Sequence, residues 1–325
     1  MKKLLLLCCS LLLCMGLVAC STKNESKVYK IGIVTLMDHT SLNTIRDAIL
    51  DELKAEGYID GENVEIDFQN ANQDTSTLKT ICEQFKSEKV DIIIAITTPA
   101  AQAAAPYAEE IPVIFSAVSD PIEAGLVNDM EKPDMNITGT SDEVQVSSIM
   151  NLAREMYPKT KTIGYIYNAG EANSVSNRAK LESYAKENGL NVKTAAVTSV
   201  ADVSTGLQSL INDCDIIFSP TDNTVASAMD QVREICNNAK VPFFTGADSM
   251  VQDGGLATYG INYENLGKET ANMAIKVLNG TKVEDLPVKV FKDDLDVYFN
   301  KTTAAAIGYQ GLESLQENYN VILFE

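Results

Sequence analysis

The chain has no tryptophan and a single histidine, and its acidic residues outnumber its basic ones by 45 to 26. Each shortage narrows the field. One histidine, His39, cannot supply both a general base and a set of metal ligands, and the sequence has no GxSxG elbow, HExxH pair or P-loop. Nothing singles out a glycosidase-like carboxylate pair, so no catalytic residue, cofactor or metal is expected. Without tryptophan the wide aromatic platforms favoured by sugar sites are missing. A formal charge of -19 repels polyanions and argues against a nucleic-acid partner. After the N-terminal leader, no apolar run reaches the ~20 residues that a membrane-spanning helix needs.

What is present begins with a processing signal. Lys2 and Lys3 precede an apolar stretch over residues 4–18, which is too short to span a bilayer. It closes on Leu17-Val18-Ala19-Cys20, similar to the bacterial lipobox, in which the chain is cut before a cysteine that receives a diacylglyceryl group. Cys8 and Cys14 do not compete, because Leu7 and Leu13 precede them where cleavage wants a small residue. Residues 1–19 are therefore expected to be a lipoprotein signal peptide, Cys20 the lipid anchor at the cell membrane, and 20–27 a polar tether. Two acyl chains, at ~0.8 kcal/mol per buried CH₂, hold a protein at a membrane without a spanning helix. Cys82, Cys214 and Cys236 remain, an odd set without metal-like spacing, and read as small buried apolar residues. Loss of Lys2 and Lys3 takes the formal charge from -19 to -21.

From residue 28 to about 259 strands and helices alternate, which forces parallel pairing. The spacing predicts strands at 28–35, 64–68, 90–96 and 113–115, with helices at 41–56, 77–85 and from Thr98 onward. The pattern resets near 136–142. Helices follow at 144–156, 175–188, 203–212 and 224–238, with strands at 162–167, 192–197, 215–218, 241–244 and 255–259. The tail predicts a long amphipathic helix at 262–279, an extended stretch at 288–299 and a helix at 302–307. The fold class is α/β, with two doubly wound parallel-sheet lobes.

In such sheets ligands sit beyond the carboxyl ends of the strands. The clearest example here is the apolar run Ile92–Ile96 followed by T-T-P-A-A. Thr98 suits an N-cap and Pro99 the first helical position, and the small Ala100 and Ala101 leave the first N–H groups open to a carboxylate or phosphate. The other strand ends add His39, Ser116, Ser119 and Asp120 in the first lobe. Those of the second add Asn168, Glu171, Asn173, Ser174, Thr221, Asp222, Asn223 and Asp248. These sets would build a wet crevice suited to a small zwitterion, its carboxylate at Thr98–Ala101 and its ammonium on an aspartate. Asp248 is the first choice for the ammonium, with Asp120 and Asp222 next. Plainer roles compete: Asp222, Asn173 and Ser174 as helix caps, Asp120-Pro121 as a turn, and Met37, Phe115, Tyr167 and Phe244 as core rather than as an apolar pocket.

These residues resemble a known family. The carriers of the likeness are I-G-I at 31–33 with His39, A-I-T-T-P-A-A-Q-A at 95–103, I-P-V-I-F-S-A-V-S-D-P at 111–121, N-I-T-G-T-S-D at 136–142, the 168–174 loop and T-D-N at 221–223. From residue 28 to about 308 the chain is similar to extracytoplasmic solute-binding lipoproteins of ABC importers, in the group for tryptophan and tyrosine uptake. The resemblance implies a type I periplasmic-binding fold with three hinge crossings, and a ligand clamped between lobes. The lobes would comprise 28–141 plus about 261–286, and 142–260 plus about 287–325. It also implies a monomer that captures a small-molecule solute, an aromatic or other apolar amino acid, for ABC permease subunits. The family often has proline after the histidine, where this chain has Thr40. Rival readings are a sugar or nucleoside carrier and a ligand-sensing lipoprotein, with a surface hydrolase a distant third.

Overall fold

Two sheets, each clad in helices, make up the computed structural model of the chain, which describes residues 27–291 and 295–325. The expected signal peptide, the anchor Cys20 and the tether before Lys27 lie outside the described residues. The chain opens with β1 (Tyr29–Thr35), α1 (Thr40–Ala55), β2 (Val64–Asn70), α2 (Thr75–Glu88), β3 (Ile92–Ile96), α3 (Thr98–Ala104), β4 (Val113–Ser116) and β5 (Ile137–Ser141). These strands pair in parallel in the order β5-β4-β3-β1-β2. Residues Ile92 to Ile96 have no exposed surface, as an unbroken apolar strand between two helical layers requires.

The second sheet repeats the plan. It receives α4 (Val146–Met156), β6 (Thr162–Asn168), α5 (Ala172–Asn188), β7 (Asn191–Val197), α6 (Val203–Leu210), β8 (Ile216–Ser219), α7 (Asn223–Ala226), α8 (Met229–Ala239), β9 (Phe243–Thr245), α9 (Asp248–Gln252) and β10 (Ala257–Gly260). The chain then returns to the first lobe as α10 (Tyr263–Leu278) and β11 (Lys289–Val290). It ends in the second with β12 (Asp296–Asn300), α11 (Lys301–Ile307), α12 (Leu312–Asn318) and β13 (Val321–Phe324). The second sheet reads β13-β12-β10-β9-β8-β6-β7. In both sheets the order reverses beside the first strand of the lobe, between β1 and β3 and between β6 and β8. Loops leaving those strands diverge there and open a crevice.

Helix α10 lies directly on α1. Gly267 makes this approach possible, since a Cβ there would stand 2.6 Å from the Ile45 carbonyl oxygen. The Thr270 hydroxyl sits 2.8 Å from both Ser116 Oγ and Thr140 Oγ1, pinning α10 behind β4 and β5.

Several sequence expectations need correction. The predicted helix at 224–238 is two helices, because Ala228 leaves helical geometry and caps α8. The extended stretch at 288–299 is divided between sheets: β11 joins β5, and β12 joins β10. The third crossing therefore lies between Val290 and Asp296. The β10–β12 pair is antiparallel, so the second sheet is not wholly parallel. Strand β13 at its edge went unpredicted. Cys82, Cys214 and Cys236 are buried free thiols.

Candidate functional site

Both switch points face each other across a cavity holding about 330 Å³ of empty space, counted to its mouth. The space open to a water-sized sphere is far smaller, about 20 Å³, so the cleft is tightly shut. The first lobe and hinge contribute His39, Ser41, Leu42, Thr97, Thr98, Ala117, Asp142 and Tyr263; the second contributes Asn173, Thr221, Asp222, Asn223, Ala226, Ala247 and Met250. No lysine or arginine is among them. Protein groups from the two lobes also touch directly. Ser249 Oγ donates to Ser41 Oγ at 2.6 Å, Ser176 Oγ donates to Asp120 Oδ2 at 2.9 Å, and Ser119 Oγ lies 3.0 Å from Thr221 Oγ1. The lobes are closed on one another.

Asp142 leaves β5 at the first crossing, and Tyr263 opens α10 at the second. The Tyr263 hydroxyl donates to Asp142 Oδ2 at 2.6 Å, and Ser119 Oγ donates to Oδ1 at 2.9 Å. Asp142 is thus a hinge carboxylate buried to 4 % exposure. Burial pushes its pKa up to about 6, against the pull of hydrogen bonds from Tyr263, Ser119 and Thr221. A carboxylate held dry with only neutral donors is poised for a cation.

A second network fills the floor of the other lobe. Glu171 Oε2 accepts from the N–H of Asn223 at 3.0 Å and its Nδ2 at 2.6 Å, while Oε1 accepts from the N–H and hydroxyl of Thr224 at 3.2 and 3.0 Å. Asp222 caps α7 through Val225 N–H at 2.8 Å and also accepts from Asn168 N–H at 2.6 Å and Ser174 Oγ at 2.7 Å. Burial and then the Asp222 charge raise the Glu171 pKa; burial raises Asp222 too. Both carboxylates hold the β6 and β8 loops together. Across the cleft, His39 Nε2 lies 3.3 Å from Asn223 Oδ1.

The helix start that opens to the cavity is that of α1. His39 is its N-cap residue but makes no side-chain cap, so the first-turn N–H groups around Ser41 and Leu42 carry the helix's partial positive charge uncapped. This departs from the sequence expectation for α3. There the N-cap is Thr97 rather than Thr98, and Thr97 Oγ1 accepts from Ala100 N–H at 3.3 Å. The Ala101 N–H bonds to the Thr97 carbonyl. Of the expected Thr98, Pro99, Ala100 and Ala101, only Thr98 lines the cavity, with Thr97 beside it. Thr97 itself has φ 96° and Ala117 φ 55°, left-handed conformations that non-glycine residues enter at a cost of about 1–3 kcal/mol. Two strained residues on one cavity wall are the kind of backbone distortion that gathers at functional sites.

The cavity thus gathers His39, Thr98, Asn173, Thr221, Asp222 and Asn223 from the expected set. Ser119 stands behind it on Asp142, and Glu171, Asn168 and Ser174 support its floor. Three expected anion-site residues lie elsewhere: Ala100 and Ala101 are buried core, and Pro99 lines an outer groove. Ser116 is buried against Thr270. Asp120 sits at the rim, held by Ser176 and 3.7 Å from Lys180. Asp248, the first choice for an ammonium partner, accepts from the N–H of Ser249 at 2.7 Å and of Tyr263 at 3.3 Å, and it is not on the cavity wall. Phe115 and Phe244 are core, and Tyr167 takes a hydrogen bond from Arg178. The apolar wall is built instead by Leu42, Ala226, Ala247 and Met250. Asp142 and Tyr263 were not selected from sequence, although T-G-T-S-D at the pattern reset was a usable signal for the former.

A family model described as ABC transporter substrate binding protein matches residues 30–319. A tyrosine-binding protein of Clostridioides difficile strain R20291 is 40% identical over 293 residues, covering 90% of this chain and 85% of that one. An ABC domain in complex with L-Trp from Streptococcus pneumoniae is 37% identical, with a TM-score of 0.85 over 90% of this chain and 99% of that chain. A ligand-free, open substrate-binding protein with adhesive properties from Clostridium difficile is 42% identical, covering 92% and 100%, but its TM-score is 0.69. That protein is described as open, whereas the lobes here touch through Ser41–Ser249 and Ser119–Thr221. The chain belongs to the ABC transporter substrate-binding proteins, extracytoplasmic carriers that take up a small solute and work with a membrane permease.

Proposed function

We propose that this protein is lipid-anchored through Cys20 and acts as a monomer that captures an aromatic amino acid between its lobes for an ABC permease. The observation that carries this reading is the pairing, in one small cavity, of a buried carboxylate without a basic partner and an uncapped helix N-terminus. Asp142, backed by Ser119 and Thr221, takes the ammonium. The first turn of α1, with the hydroxyls of Ser41 and Thr98, takes the carboxylate. Since Ser249 donates to Ser41, the hydrogen of Ser41 is left to point at the solute. Leu42, Ala226, Ala247 and Met250 receive the side chain. The ligands named for the two similar proteins, tyrosine and L-Trp, support the same class.

Capture and release, with no covalent step, is the whole activity proposed. A ligand that touches both lobes binds the closed form better and moves the equilibrium by that difference alone; ~5.5 kcal/mol takes closed from about 1% to 99%. Calorimetric titration against amino acids, sugars and nucleosides tests the class. Heat is expected with aromatic amino acids, and a ligand bound only by the folded state should also raise the melting temperature. Heat with sugars or nucleosides alone overturns the proposal.

Affinity should fall with acid. In the closed form, with no ammonium beside it, burial pushes Asp142 up to about 6. An ammonium needs the carboxylate form, so below that pH a proton must first leave, at about tenfold in affinity per pH unit. His39 acts in the same direction: burial holds its pKa down to about 4 in the closed form, so closing below its ordinary value expels a proton. Titrations at pH 8 and pH 5 should differ by at least about tenfold, weaker in acid; a flat profile removes Asp142 from the ammonium site.

A further inference from the structure

The hydrogen-bond network fixes which hydrogen-bonding groups the cavity presents. Asn223 spends its Nδ2 on Glu171 at 2.6 Å, so the atom facing His39 is the Asn223 oxygen. His39 Nε2 must then carry the hydrogen. In a neutral imidazole this leaves Nδ1 as a bare acceptor. Nδ1 is buried, and it has no hydrogen-bond partner among the described residues. Burial, outweighing the Asn223 bond and the nearby Asp38, keeps the ring neutral at physiological pH. Asn173 is fixed in the same way: its Nδ2 donates to the Thr221 carbonyl at 2.9 Å, and its buried Oδ1 has no partner. Both unpartnered buried atoms among the cavity residues are therefore acceptors, as is Asp142.

These acceptors differ in their immediate partners. Asn173 connects through Thr221 and Ser119 to Asp142, forming one polar end with a natural claim on the three N–H bonds of an ammonium. His39 instead contacts Asn223, which is held by Glu171. An ammonium whose three N–H bonds are taken up at the first end leaves Nδ1 to another donor. We infer that His39 Nδ1 accepts from an N–H or O–H on the solute's side chain, making His39 the residue that selects tyrosine and tryptophan over phenylalanine. This rests on the reading of the cleft as an aromatic amino-acid site. A ligand without that donor buries Nδ1 unpaired, a penalty that corresponds to about ten- to a hundredfold in affinity.

The test is calorimetric titration of the purified protein with L-Tyr, L-Trp and L-Phe at neutral pH, repeated with His39→Asn and His39→Gln. Asparagine places its polar atom where Nδ1 lies, and glutamine places it where Nε2 lies. The native protein is expected to bind L-Phe at least tenfold more weakly than the other two. His39→Asn should keep most of that ratio, and His39→Gln should bring the three within about threefold. Equal affinities in the native protein overturn the assignment without any variant, and so does an undiminished preference in His39→Gln. Binding of none of the three overturns the amino-acid reading and this assignment with it, an outcome distinct from equal binding of all.

Discussion

Replacing Asp142 with asparagine should weaken amino-acid binding by about a hundred- to a thousandfold while the protein stays folded. The side chains are nearly the same size, so the hinge keeps its packing. Tyr263 and Ser119 both present hydroxyls to Asp142, and a hydroxyl can turn to accept from an amide as readily as it donates to a carboxylate. What is lost is the negative charge in a dry site, and removing one partner of a buried hydrogen-bonded charge pair costs about 2–5 kcal/mol. Asp248→Asn is the matched control. Asp248 is also buried and also shifted up to about 6, by burial against two backbone N–H bonds. It faces the hinge backbone rather than the cavity, so its replacement should alter thermal stability and leave affinity within about threefold. Calorimetry on both variants decides; the reverse pattern would return the ammonium to Asp248.

Glu171→Ala should destabilise the second lobe by about 3 kcal/mol. Four donors, two from Asn223 and two from Thr224, lose their acceptor together, at roughly 1 kcal/mol or more each. One effect opposes the loss. Glu171 and Asp222 are neighbouring buried carboxylates, and deleting one relieves both its own desolvation and their repulsion. The hydrogen bonds win because the relief is already partial: a carboxyl with a raised pKa holds its proton for part of the time. Glu171→Gln keeps an acceptor for Thr224 and removes the charge, so it should cost less than the alanine. Urea unfolding separates the two, and a Glu171→Ala protein as stable as the native one would show that water replaces the carboxylate.

How much of this was legible in the sequence follows from the range of the forces involved. Ile92–Ile96 announces a buried parallel strand on composition alone, and Asp222 announces a cap by its place before a helix. The alternation of elements suffices for two parallel lobes, and the motif likeness added the return of α10. Thr97 was missed in favour of Thr98 because a left-handed threonine has no local preference to betray it; the fold imposes that angle. Asp142 was missed for another reason. Its partner Tyr263 lies 121 residues away in sequence, and nothing nearby marks either residue as facing a cavity. Asp248 looked equivalent on paper, and only the folded chain shows that it turns to the backbone of Ser249 and Tyr263 and stays off the cavity wall.

The lobes meet mainly through uncharged groups: Ser41 with Ser249, Ser119 with Thr221, and His39 with Asn223. Such contacts lack the long-range Coulomb component that dissolved ions weaken, and Asp120 at the rim, which meets both Ser176 and Lys180, departs from this. A carrier outside the cytoplasm works in a fluid whose salinity the cell does not set. Its clasp should therefore shut about as readily in brine as in fresh water.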